Sequence, residues 1–148
     1  MNPSVALMSQ FIDLEGQKGP SPAGNWLNPI LRIVKEGYME ADIKVLKEHT
    51  NPIGTMHGGV IALVIDELTG ACAWTLHNKN LHVSQNLYVD YFKPAYEGET
   101  IRVKAKCIRK GSKIINIECC LYNVKEVLLA KGVGNLINTE KPNPFSAI

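Results

Sequence analysis

Long apolar runs are missing from this sequence. The longest, residues 60–65, falls far short of the roughly 20 residues a membrane-spanning helix needs. No Lys or Arg precedes Lys18, and the apolar stretch Val5–Met8 is too short for the core of a secretory leader. The last residues, Phe145-Ser-Ala-Ile148, match no lipidation or retention signal. The expectation is a cytoplasmic chain. Cysteine is sparse and carries no metal spacing: Cys72, Cys107, Cys119 and Cys120 form no C-x-x-C pair and no Cys/His pattern suited to zinc. No metal site is expected. Adjacent Cys119 and Cys120 in a strand-like run point to opposite faces, and the four read as free thiols of a reducing compartment. Charge of one sign is lacking as well. A formal net charge of +2 gives no general reason to expect a nucleic-acid or membrane-surface partner. With 45% hydrophobic and 20% charged residues and no low-complexity tract, disordered and fibrous classes are excluded. The 148 residues suit one domain with a real core.

What is present is patterned. Residues 4–14 alternate at a helical period, with Ser4 placed to cap. Residues 16–29 hold three prolines and three glycines and read as a loop. A short apolar patch, Trp26 to Ile33, leads into a first strand at residues 38–46. Residues 58–77 form the one long helical candidate, apolar on nearly every side except at Asp66-Glu67, and therefore buried. Four strands follow, at residues 82–92, 100–109, 114–122 and 127–137, joined by turns at Gly111-Ser112 and residues 123–126. One strand, a buried helix and a four-stranded meander predict an α+β domain: an antiparallel sheet around one central helix. The expected organisation is a lead-in over residues 1–30 and the domain proper over residues 31–148.

Two segments carry candidate chemistry. Gly58-Gly59 at a helix start leaves the first-turn N–H groups open, either as a tight turn or as an oxyanion site. His57 stands beside them as a base or as an orienting group. Asp66, in an otherwise apolar helix, is either an ion-pair partner or a general base or nucleophile, and Glu67 points about 100° away from it. Eight residues separate Gly58 from Asp66, roughly 12 Å along a helix axis. Both cannot serve one reacting carbon in one chain. If both act, two chains must face each other, which predicts a symmetric dimer with composite sites. The basic hairpin with Arg109, Lys110, Gly111 and Lys113 is a solvated turn or a phosphate contact. The aromatics Trp74, Tyr88, Tyr91 and Phe92 either shape an acyl pocket or pack in the core, and core packing is the expectation.

The run Asn51-Pro-Ile-Gly-Thr-Met-His-Gly-Gly-Val-Ile-Ala-Leu-Val-Ile-Asp66 resembles the signature of the hot-dog acyl-CoA thioesterase superfamily, nearest its phenylacetic-acid-degradation (PaaI-type) branch. The resemblance spans about residues 38–137, with Tyr91, Pro94-Ala95 and the charged hairpin included. It implies a hot-dog fold and hydrolysis of acyl-CoA thioesters to free acid and CoA, without metal or other cofactor. It also implies oxyanion contacts from Asn51 and the Gly58 N–H, with His57 alongside, and an acidic base or nucleophile at Asp66 of the opposing subunit. The assisting hydroxyl falls on Ser84, and CoA contacts fall at Arg109, Lys110, Gly111 and Lys113. The partners implied are an acyl-CoA substrate and further copies of this chain, a dimer at least and a tetramer by extension, with no nucleic acid and no membrane. A non-catalytic acyl-CoA-binding hot-dog domain is the alternative. A hot-dog dehydratase fits less well, because His57 is followed by two glycines rather than by an aromatic residue and proline.

Overall fold

The structure, a computed structural model, describes residues 1–146. Its centre is an antiparallel sheet of six strands: β1 (Ile30–Lys35), β2 (Tyr38–Lys44), β3 (Asn80–Tyr91), β4 (Thr100–Lys110), β5 (Ile114–Tyr122) and β6 (Leu128–Pro142). They lie in the order β1-β2-β4-β5-β6-β3. The long helix α3 (Gly58–Thr75) packs on one face, and two short helices, α1 (Pro3–Ser9) and α2 (Pro22–Leu27), lie against it. This is the sheet wrapped around a central helix that the sequence predicts.

Alternation decides the faces. In β4 and β5, Ile101, Val103, Ala105, Ile115, Ile117, Cys119 and Leu121 are buried beneath the helix. The side chains between them, Lys104 and Glu118 among them, turn to the outer face. The helix answers with Ile61, Val64, Ile65, Leu68 and Cys72, spaced for one helical stripe. Each large apolar side chain fully buried here contributes about 1.5–3 kcal/mol. Close approach is set by glycine: a Cβ on Gly132 would lie 2.7 Å from Ile65 Cγ2 and 2.8 Å from the Tyr88 carbonyl oxygen. The four cysteines are free, Cys72 and Cys119 buried and Cys107 and Cys120 half-buried. Burial pushes the Cys72 thiol up to about 12.

The outer face of β1, β2 and β4 carries an ion-pair cluster. Arg32 Nε meets Asp42 at 2.7 Å, Arg102 reaches both Asp42 and Glu40, and Tyr38 hydrogen-bonds Glu40. Burial works to raise the Asp42 carboxyl, but the Arg102 and Arg32 guanidinium groups outweigh it and hold that carboxyl below its ordinary range.

Several details differ from the sequence reading. Helix α1 is short, and its cap is Asn2, whose Oδ1 accepts the Val5 N–H at 3.0 Å; proline at its start has no N–H to leave unmet. Ser4 is buried instead, with Oγ 2.9 Å from His77 Nδ1. Residues 16–29 are not all loop, since Ser21 caps α2. Strand β1 adds a second strand before α3; a register shift between Leu31 and Ile33 hides its alternation. Only the sheet-facing side of α3 is buried. By length and composition this helix would suit a membrane, and here its apolar stripe packs on the sheet.

Strand β3 matters most for function. Among the described residues it pairs with β6 alone, which leaves its other edge open. It is twelve residues long and carries neither lysine nor proline to blunt that edge. Tyr88, Tyr91 and the following Phe92 are exposed rather than packed in the core. Trp74 alone of the four aromatics is half-buried, packed against Phe145.

Candidate active site

The first half of the site is a closed loop leading into α3. At its base the His57 N–H donates to the His49 carbonyl at 2.8 Å. Thr50 bridges Met56 above, and the Asn51 N–H donates to the Thr55 carbonyl at 2.8 Å. Asn51 Oδ1 accepts the N–H groups of Ile53 and Thr55 at 3.1 Å each, an Asx turn suited to Asn-Pro-x-Gly. Asn51 Nδ2 donates one hydrogen to Thr55 Oγ1 at 2.8 Å, which leaves the second for another acceptor. The turn therefore orients the amide from both ends.

His57 is the N-cap of α3. Its Nδ1 accepts the Gly59 N–H at 2.8 Å, so that nitrogen carries a lone pair and is already engaged. An orienting role fits this geometry better than that of a free base. The Gly58 N–H has no partner among the described residues. It is one of the unmet donors of a helix start, at the positive end of the helix dipole. Tyr91 Oη donates to the Gly58 carbonyl at 2.8 Å and fixes this end of the helix to β3.

The second half lies two turns along. Asp66 accepts the Ser84 hydroxyl at 2.7 Å on Oδ1. No salt bridge to Asp66 occurs among the described residues, which removes the ion-pair alternative within one chain. Glu67 turns away, accepting from Ser21 Oγ at 2.8 Å. Gly59, Ala62, Leu63 and Asp66 form one side of an open groove of about 350 Å³, and Ser84 to Leu87 of β3 form the other. A register shift between Ser84 and Asn86 sets the serine on the helix side of the strand.

The structure brings Asp66 to Ser84, and gathers Asn51, His57 and Gly58, but it keeps the two groups apart by two turns of α3. The basic hairpin is a third location. Ser84, Leu136, Ile115 and Lys110 are paired in one row across four strands, which puts the hairpin three strand spacings, roughly 14 Å, from Ser84. Lys110 Nζ donates to the Leu76 carbonyl at 3.1 Å, favourably placed at the carbonyl end of α3. Gly111 closes the turn through the Ile114 carbonyl at 2.9 Å, and Arg109 and Lys113 are exposed. A second recess of about 320 Å³ lies there, with Lys79, His82, Lys110 and Ser112 in its wall. His49 is the residue sequence reasoning missed, and Tyr91, read there as core packing, instead holds the Gly58 carbonyl. Neither stands out locally, because their partners lie on other elements.

Comparison with known proteins gives the family and the fold. A thioesterase superfamily model covers residues 53–130, the span from the Asn51 turn into β6. Human acyl-coenzyme A thioesterase 13 is 32% identical over 101 residues, 68% of this chain and 67% of that protein. The fold is shared with the E. coli PaaI protein from the phenylacetic acid degradation operon, at TM-score 0.78 and 14% identity over 94% of this chain and 93% of that one. It is also shared with a Streptococcus mutans protein solved bound to acetyl CoA, at TM-score 0.73 and 20% identity over 78% and 92% of the two chains. The unengaged helix-start N–H, the Asp66–Ser84 pair and these likenesses lead to one identification: this chain is a hot-dog-fold member of the thioesterase superfamily.

Proposed function

We propose that this protein hydrolyses acyl-CoA thioesters, at sites formed between two copies of the chain. The observation that carries the reading is the separation of its parts: an unengaged N–H at Gly58 and a hydroxyl-bound carboxylate at Asp66, each residue tied to β3 and the two lying two helical turns apart. The human relative's name gives the substrate class, and the acetyl CoA bound by the Streptococcus mutans protein agrees with it.

In this reading the thioester carbonyl oxygen lies between the Gly58 N–H and Asn51 Nδ2 of one copy. Charge developing on that oxygen is met by two donors and a helix dipole that are already oriented, the arrangement that stabilises an oxyanion. Asp66 of the other copy stands opposite. It either takes a proton from water as the water attacks, or attacks the carbonyl itself to give an anhydride that water then opens. Ser84 holds one carboxylate oxygen and leaves the other to act. The thiolate of CoA departs, and its pantetheine arm runs across the sheet toward Arg109, Lys110, Gly111 and Lys113.

The open edge of β3 supplies the dimer. Pairing two copies antiparallel through it turns one sheet of six strands into a continuous one and covers an edge that would otherwise invite aggregation. For Asp66 of one copy to meet Gly58 of the other, Ser84 must lie level with the partner's Tyr91. That places the twofold axis beside Leu87 and Tyr88. A tetramer is a pair of such dimers.

The test is thiol release from short-chain, long-chain and aryl acyl-CoAs. Wild type is expected to hydrolyse at least one class, and Asp66→Asn to lose nearly all of that rate while remaining folded. Tight acyl-CoA binding with no thiol released across the panel would instead make this a binding domain.

A further inference from the structure

His49 is fully buried, and its two ring nitrogens are treated differently. Nδ1 accepts the Leu46 N–H at 3.0 Å, so in the neutral ring the hydrogen sits on Nε2. Nε2 has no hydrogen-bond partner among the described residues. A buried donor with no acceptor is costly, so such a group calls for a partner. What stands against the ring is Trp26: the centroids are 4.6 Å apart and the planes cross at 76°. That is an edge-to-face contact, the geometry in which an N–H meets a π face.

Trp26 belongs to α2, in the lead-in segment that the catalytic reading leaves unused. The placement of α2 is not loose. Ser21 both caps it, through the Gly24 N–H at 3.2 Å, and donates to Glu67 of α3 at 2.8 Å. Gly24 has no side chain where the Glu67 carboxylate lies against the helix's first turn. On the other side, the His49 carbonyl accepts the His57 N–H and so closes the base of the loop bearing Asn51 and Gly58. One short helix thus bears on both halves of the site, next to Asp66 through Glu67 and behind the oxyanion loop through His49.

We propose that His49 Nε2–H donates to the indole face of Trp26, and that Trp26 is a positioning residue for the loop carrying Asn51 and the Gly58 N–H. The positioning role rests on the reading that these two groups hold the thioester oxygen; the contact itself does not. Loss of the indole frees the His49 ring to tilt. Because the His49 carbonyl is one rung of the loop, the tilt reaches both oxyanion donors. Misplacement on the scale of 1 Å is enough to cost up to about a hundredfold in rate.

Trp26→Leu, Trp26→Phe and Asp66→Asn are compared with wild type by steady-state kinetics, thermal melting and long-range ¹⁵N–¹H NMR of the histidine rings. In wild type the expected spectrum is an Nε2–H tautomer for His49, with that proton shifted upfield by the indole ring current. Trp26→Leu should move it downfield and lower kcat about tenfold, with KM within about twofold. Trp26→Phe should keep most of the shift and bring kcat back to within about threefold of wild type. An Nδ1–H tautomer, or an Nε2–H proton with no upfield shift, overturns the contact from the wild-type spectrum alone, whether or not the leucine variant folds. Equal loss of kcat in the leucine and phenylalanine variants, or no loss in either, overturns the positioning role. A wild type that hydrolyses no acyl-CoA yet shows the upfield proton overturns the functional reading and leaves the contact standing.

Discussion

Ser84 on the open edge strand donates its hydroxyl hydrogen to Asp66 on the central helix at 2.7 Å, across eighteen residues of chain. Removing that hydroxyl leaves the carboxylate without its bond to β3. Ser84→Ala is therefore expected to lower kcat about ten- to a hundredfold with little change in KM, and Ser84→Thr to retain more activity. Steady-state kinetics on a substrate turned over by wild type checks this. A Ser84→Ala enzyme with unchanged kcat would show that the bond is only structural.

The register proposed for the dimer makes a geometric prediction. Residues on the outer side of β3, among them Asn86, Tyr88 and Asp90, must pair with outer-side residues of the partner, which puts Tyr88 at or beside the twofold axis. A Tyr88→Cys variant should form a symmetric disulfide under mild oxidation, seen as a dimer on a non-reducing gel. Val83→Cys, five residues along the same exposed strand, should not. Cross-linking of the second variant and not the first would refute the register.

Gly132 sits where β6, β3 and α3 crowd together. A methyl there meets Ile65 and the Tyr88 carbonyl, and a backbone oxygen cannot be turned aside as a side chain can. Gly132→Ala is predicted to destabilise by about 1–3 kcal/mol through overpacking. It should also lower kcat, because it pushes α3 away from the strand that carries Ser84. Chemical denaturation and kinetics on the same sample check both effects.

The outer ion-pair cluster predicts a pH dependence. The folded-state pKa of Asp42 lies below its unfolded value of about 3.9. Its contribution is therefore present above that value and is lost as pH falls through the lowered folded one. Asp42→Asn should cost about 2 kcal/mol at neutral pH, and the gap to wild type should begin to narrow below about pH 4. Melting temperatures from pH 7 down to pH 3 measure it. A gap that is constant with pH would mean the loss comes from packing rather than charge.

Much of this was legible without coordinates, for physical reasons. Strand β5 alternates throughout and β4 over most of its length, and α3 carries two glycines at its start and a single acidic pair in an apolar helix. Those patterns gave the sheet, the helix and Asp66. What was hidden depended on contacts distant in sequence. Strand β1 escaped because a register shift breaks its alternation, and α2 because Pro22 and Gly24 look like loop, although Ser21 caps a helix there. Tyr88, Tyr91 and Phe92 were expected in the core because nothing local shows that β3 is an edge strand. Ser84 meets Asp66 only through the pairing of β3 with β6, and His49 matters only because Trp26 folds back onto it.

The central claim is that each active site takes Asp66 from one copy and Asn51 with Gly58 from the other. Mixing two inactive variants, Asp66→Asn and Asn51→Ala, with subunit exchange by refolding, tests it directly. Random pairing makes half the dimers hybrid, and each hybrid holds one intact site of two, so activity should return to about a quarter of wild type. A mixture no more active than its two parents would contradict the shared site.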